Sequence, residues 1–377
     1  MQWYLVLAVF GAVFGSGICA NFSICRESSG QEFYTDFYWW PWADPTDGQV
    51  KYVDQKTSQD QNLSYVDSSN RFVLAVDTGP TVPIGGKQPE IGRRSNRIHS
   101  TYLMGDGFVI IKVNHIPTGC ATWPAFWTAT PGVWPEGGEI DIIEGANGQG
   151  DNLASMHTTN GCMVDTDVSK SQLGEFRQGN CSYQPGCSSS FTKNTFGPAI
   201  NQNGGGYFVM MRDTSLHGAG ISVYFWNSST NPDRLPAAVG AAPHLAPTSI
   251  TTDEVVSWGK PQVFFGADNG PGSPCPLSKY MGMHEIIIDT TMCGYWDNST
   301  FQDAGCQAPS CQDYLIANGS AFSNARWEID YVRVYANQCV ARKDISGAVS
   351  LVSNVQWVIA MALGITIIMA VGLSSEL

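Results

Sequence analysis

The sequence is short of positive charge and of metal-binding spacings. Lysine and arginine number 20 against 33 aspartates and glutamates, for a formal charge of −13. A nucleic-acid surface needs clustered cations, so that class of partner is excluded. Charged residues of both signs make up only 14% of the chain. No long stretch repeats its apolar residues with a helical period, which argues against a helix bundle. There is no C-x-x-C pair and no H-E-x-x-H, and the six histidines stand singly, so zinc has no ligand set. No repeat period emerges and no linker splits the body of the chain, which predicts one domain over residues 21–340.

What is plentiful points to an all-β architecture. The 40 glycines, 20 prolines and 12 tryptophans suit many short strands joined by turns. Runs at 107–113, 152–158, 207–213, 220–226, 284–289 and 327–335 read as strands, the last alternating cleanly. Residues 49–65 and 71–77 read as hairpin strands, and 33–41 as an aromatic strand or loop. Residues 160–206 are rich in Cys, Gly and Ser without periodicity, and disulfide-pinned loops are expected there.

Residues 1–20 are apolar, end in small residues and read as a signal peptide cut near Ala20. Its removal takes Cys19 from the eleven cysteines and leaves an even number, as a disulfide-bonded secreted domain requires. Close pairs such as Cys181/Cys187 and Cys306/Cys311 are candidates to close small loops, although spacing does not fix connectivity. Sequons at Asn21, Asn62, Asn180, Asn227, Asn298 and Asn318 agree with a secretory route. After a spacer over 341–354, residues 355–373 carry no charge and are long enough to cross a bilayer. A GPI signal, with Ser346-Gly347-Ala348 upstream, is favoured over a transmembrane anchor because no Lys or Arg follows the apolar run. The expected place is the extracellular face, tied to the cell membrane by this tail.

The chemistry concentrates in Trp134-Pro135-Glu136-Gly137-Gly138-Glu139-Ile140-Asp141-Ile142-Ile143-Glu144-Gly145. In a strand, Glu139 and Asp141 share one face while Ile140 and Ile142 point into a core, which leaves Glu144 on the wrong side. A one-residue bulge near Ile142 or Ile143 returns Glu144 to the face of the other two. About four strand intervals, ~13 Å, then separate the Glu139 and Glu144 Cα atoms. Two glutamate side chains leaning together bring their carboxyls near the roughly 5–5.5 Å of a retaining glycosidase rather than the roughly 6.5–9.5 Å of an inverting one. A solvated acidic strand or a calcium site is the competing reading of a lone E-x-D pair. Trp134, the apolar alternate face and the close ligand approach permitted by Gly137-Gly138 favour a sugar cleft instead.

The segment resembles the E-x-D-x-x-E signature of glycoside hydrolase family 16. Together with Thr122-Trp123-Pro124-Ala125-Phe126-Trp127 it is similar to the fungal laminarinase-type endo-1,3(4)-β-glucanases of that family. The resemblance implies a concanavalin A-type β-jelly-roll sandwich with an open concave cleft, and a β-glucan substrate. It assigns Glu139 as nucleophile, Glu144 as acid/base and Asp141 as orienting acid. It implies that Trp127 and Trp134 face the cleft and that His157 lies near the acids, while Trp258, a further substrate-binding candidate, and Trp123 are both less certain. No cofactor is expected, a structural calcium ion is not readable from sequence, and a monomer is anticipated. A wall-remodelling transglycosylase is the alternative on the same fold, and a glucan-binding module is disfavoured because all three acids persist. Glu328-x-Asp330 mimics half the motif but lacks the third acid, and is read as structural.

Overall fold

Two large antiparallel sheets are pressed together by the apolar residues that alternate along their strands. The computed structural model describes residues 20–342, except 81, 83–90, 268–269 and 271. The expected signal peptide, apart from Ala20, the apolar tail over 355–373 and most of the 341–354 spacer lie outside these residues. The described residues from Ala20 to Cys339 form one compact unit.

The first sheet has eight strands in the spatial order Glu175–Gln178, Cys187–Ser190, Leu153–His157, Glu139–Glu144, Trp123–Ala129, Glu285–Thr291, Arg97–Ser100 and Phe37–Trp39. The second has nine, with Arg326–Ala336 and Gly107–His115 at its centre. Ile140, Phe126, Ile286 and Ile288 from the first sheet meet Val109, Ile111, Phe208 and Val334 from the second, all fully buried in one cluster. Each such side chain contributes about 1.5–3 kcal/mol by leaving water, and the sum holds the two layers face to face. The strands cross back and forth between layers as in a jelly roll.

The second sheet is buried on its far side too. Phe108, Ile110, Val209 and Tyr335, which alternate with the inward residues, pack in a separate cluster with Val239, Ile250 and Trp258. This double burial explains why residues 107–113 read as a nearly unbroken apolar run. The side chains that the first sheet turns away from the inter-sheet core are in large part polar, among them Arg97, His99, Asp141, His157 and Asp289, and they are buried as well.

Two regions depart from the expected pattern. Residues 160–206 hold two strands, Glu175–Gln178 and Cys187–Ser190, that extend the first sheet. Serines fall on both faces of the second of these, so no alternation is visible in the sequence. The buried Ser189 is satisfied by Gln172, whose Nε2 donates to its Oγ at 3.0 Å. Residues 49–65 keep only short strands at Val50–Tyr52 and Ser64–Val66, around a helix over Gln55–Asp60. Asp54 caps that helix by accepting from Thr57 N at 2.8 Å.

Ten cysteines form five disulfides, Cys25–Cys339, Cys120–Cys306, Cys162–Cys275, Cys181–Cys187 and Cys293–Cys311. Cys181 and Cys187 close a small loop as their spacing suggests. Cys306 and Cys311 do not bond each other: Cys306 ties the 293–311 region to Cys120, and Cys311 closes that region on itself through Cys293.

The bulge is present in the strand Glu139–Glu144. Asp141 pairs with Ser155 and Glu144 with Leu153, so three intervals on one strand match two on the other. On the opposite edge Phe126 faces Ile143 while Trp127 faces Asp141, which leaves Ile142 as the extra residue. The fully buried Asn152 clamps it, accepting from Glu144 N at 3.0 Å and donating to Ile142 O at 2.9 Å. These two backbone groups lose their ladder partners at the bulge, and the amide replaces them. Asn152→Ala should leave both unsatisfied and cost about 1–3 kcal/mol of stability. Urea denaturation with an unchanged slope measures this, and an unshifted midpoint would show that the bulge holds without the clamp.

Candidate active site

Residues paired across antiparallel strands stand side by side on one face. Glu139 lies between Ala129 and His157, Asp141 between Trp127 and Ser155, and Glu144 between Ala125 and Leu153. All three acids therefore share the face turned away from the core, with Trp127 and His157 beside them. Alanine and serine next to the acids keep the floor low.

Indole N–H groups are aimed at both glutamates. Trp134 Nε1 donates to Glu139 Oε2, and Trp123 Nε1 donates to Glu144 Oε1 at 2.8 Å. Trp123, one of the two less certain candidates, is thus in direct contact with an acid. Trp134 is 41% exposed and packs edge-on against Tyr183 and tilted over His157. His157 Nδ1 donates to Tyr183 O at 2.9 Å, which turns Nε2 toward Asp141 Oδ2 at 3.2 Å. That contact is an ion pair without hydrogen-bond alignment, so the buried Oδ2 of Asp141 has no hydrogen bond among the described residues. Gly186, at φ +75°, lies against the His157 ring, where a Cβ would come within 2.6 Å of it.

Burial dominates the electrostatics. Loss of water raises Glu139, Asp141 and Glu144 above the usual carboxylate range. Repulsion from Glu139 raises Asp141 further, and repulsion from Asp141 does the same to Glu144. Glu139 is held back by the His157 charge, the Trp134 N–H and a proton shared with Asp141. Burial opposes the charge on His157, but the carboxylates of Asp141 and Glu139 outweigh it and push the imidazole up to about 10. The site therefore separates two glutamates by environment: Glu139 is supplied with donors and a cation, while Glu144 looks mainly at anions.

Donor atoms of Glu139, Asp141 and His157 all lie within 4.8 Å of one another and could gather around a cation. A second grouping of Cys293, Asp297 and Cys311 has both sulfurs in a disulfide and offers no such site.

Trp258 is not in the cleft. It packs on Phe108, Tyr224 and Trp226, on the far side of the nine-stranded sheet, because residues 235–258 cover that face. Gly137 and Gly138 also have another role than ligand approach. Both have positive φ, and a Cβ on Gly138 would meet Met281 Sδ at 2.6 Å, so the pair serves a tight turn packed on protein.

Asp289 is a fourth acid that was not singled out from sequence. Its Oδ1 accepts from Trp127 Nε1 at 3.0 Å and its Oδ2 from Tyr52 OH at 3.0 Å. Burial raises it to about 6 against the pull of Arg97. The signal was a lone acid at the outward position of the run Ile286-Ile287-Ile288-Asp289.

A family model for the XgeA-like catalytic domain of glycoside hydrolase family 16 matches residues 37–335. The chain is 33% identical over 320 residues to an endo-1,3(4)-β-glucanase of Arthroderma benhamiae, covering 80% of this chain and 62% of that one. It spans between 42% and 69% of the length of the curated relatives it matches. Among solved structures it is similar to Laminarinase 16A from Phanerochaete chrysosporium with β-glucans in its donor and acceptor sites, at 36% identity and a TM-score of 0.74 over 84% of this chain and 100% of that one. An elongating family 16 β-1,3-glucosyltransferase matches at 30% identity and a TM-score of 0.71, again over 84% and 100%. With its acids gathered on one sheet face by the bulge and its fold shared with these enzymes, the chain belongs to glycoside hydrolase family 16.

Proposed function

We propose that this protein is a retaining endo-β-glucanase that cleaves β-1,3 or mixed β-1,3/1,4-glucan. The observation that carries the reading is the unequal setting of Glu139 and Glu144 on one face of the bulged strand. Glu139, supplied with donors, attacks the anomeric carbon as a carboxylate. Glu144, held protonated to higher pH, gives its proton to the departing glycosidic oxygen. A glycosyl ester on Glu139 results. Glu144, now a base, takes a proton from water, whose oxygen attacks the anomeric carbon and frees Glu139 with configuration retained. Asp141 and His157 hold the nucleophile's charge and orientation, and no step requires a metal or cofactor. Trp127 and Trp134 offer indole surface on which sugar rings can stack.

The linkage reading is supported by relatives named as endo-1,3(4)-β-glucanase and laminarinase. The similarity to an elongating β-1,3-glucosyltransferase favours one second reading, in which a sugar hydroxyl replaces water in the second step. Products formed with and without an added oligosaccharide acceptor separate the two. Placement at the cell surface belongs to the same proposal and rests on the sequence of residues 355–373.

Glu139→Gln and Glu144→Gln should each lower kcat on laminarin by about 10²–10⁴-fold. Near-normal turnover in either variant would remove that residue from its role, and NMR of the first product should show the retained anomer.

The pH profile tests the electrostatics separately. Because Glu144 must carry a proton, activity falls as pH rises through its elevated pKa. Asp141→Asn removes the nearby charge that helps to elevate it, so the upper limb of kcat/KM should move to lower pH. An upper limb that stays in place or moves up would refute this coupling.

A further inference from the structure

Arg97 lies between two indoles in the floor of the cleft sheet. Its guanidinium carbon is 4.6 Å from the Trp40 ring centre and 4.9 Å from that of Trp127. Its Nε donates to His99 Nε2 at 3.0 Å, and its Nη1 is 3.8 Å from Asp289 Oδ2. Only 7% of Arg97 is exposed, so it acts as filling and charge between the rings.

Asp289 is the common anchor of this stack. One oxygen takes the Trp127 N–H at 3.0 Å, and the other takes the Tyr52 hydroxyl at 3.0 Å while facing Arg97. Its side chain is 8% exposed, and its carboxylate faces two donors and a cation, with the Asp44 charge opposing. Keeping a carboxylate here costs desolvation that an isoleucine, like its neighbours, would avoid. From the core side, Trp327 Nε1 donates to Asp289 O at 3.1 Å, so the backbone is pinned as well.

The register places this anchor in line with the acid. Arg97, Asp289, Ala125 and Glu144 are successive partners across four strands. Asp289 and Glu144 are thus two strand spacings apart, about 9.5 Å, with only an alanine between. Asp289 also adds to the negative field at Glu144, alongside Asp141 and Glu139 and opposed by His157.

We propose that Asp289 is a positioning residue for the reaction: it fixes the Trp40–Arg97–Trp127 stack as a rigid ledge that holds the glucan in register with Glu144. Since Asp289 takes the Trp127 N–H, that indole meets sugar through its ring alone. The inference rests on the glucanase reading given above.

The test compares wild type, Asp289→Asn and Tyr52→Phe on laminarin above pH 7. Asparagine keeps the size and one acceptor but removes the charge on which Arg97 and Glu144 depend. Its KM should rise about tenfold, the worth of one charge-assisted hydrogen bond, with kcat within about threefold of wild type. Its upper pH limb should also fall. Tyr52→Phe removes a single hydroxyl and should raise KM by about threefold. If Asp289→Asn does not fold, Tyr52→Phe decides, and an unchanged KM overturns the proposal. Wild-type turnover with unchanged KM in both variants overturns this proposal alone. Absence of wild-type turnover on laminarin, lichenan and other β-glucans overturns the glucanase reading and this inference with it.

Discussion

One extra residue in one strand governs the site. A regular strand would send Glu144 into the core beside Ile140 and leave it buried without a partner, at a cost of several kcal/mol. With Ile142 inserted, both Ile142 and Ile143 stay in the core and Glu144 turns outward. The chain offsets the broken ladder with Asn152, whose amide matches one free N–H and one free C=O. Catalytic geometry and local stability thus depend on the same few atoms.

The second constraint is charge. Three carboxylates crowd one strand face, and the only cation that touches them among the described residues is His157. The indole N–H groups of Trp134 and Trp123 supply further compensation without adding charge. Because His157 sits with Asp141 and Glu139, compensation falls unevenly along the strand. That unevenness gives two residues of identical chemistry unequal proton affinities, as the proposed division into nucleophile and acid requires.

Much of this was legible in the sequence, and the failures have physical causes. The period of two over 139–144 showed that three acids cannot share a face without a bulge, and the interruption fell where expected, at Ile142. The all-β sandwich followed from turn-rich composition and alternating runs, together with the family resemblance carried by the signature. Trp258 misled because a tryptophan signals burial against some partner, not which of two sheet faces supplies it. Gly137-Gly138 misled because a tight turn and close ligand approach ask for the same residue. Residues 187–190 were hidden because serines on both faces erase the period that marks a strand. Asp289 acts through partners more than a hundred residues away, which no local pattern reports, and Asn152, although only eight and ten residues from the groups it clamps, carries no local mark of that pairing.

The width of the first sheet has a consequence for how substrate is used. Three strands lie on one side of the acid-bearing strand and four on the other. Eight strands at their ordinary spacing make a floor about 33–34 Å across, far longer than the single bond to be broken. The two extra strands from 160–206 account for part of that length on one side, and the Trp40–Arg97–Trp127 stack occupies the other. A polymer lying across such a floor is gripped at many points remote from the reacting carbon. Contacts of that kind can be drawn on to distort and orient the sugar at the acids, which makes chain length itself a component of the rate and favours bonds inside a chain over those at its ends.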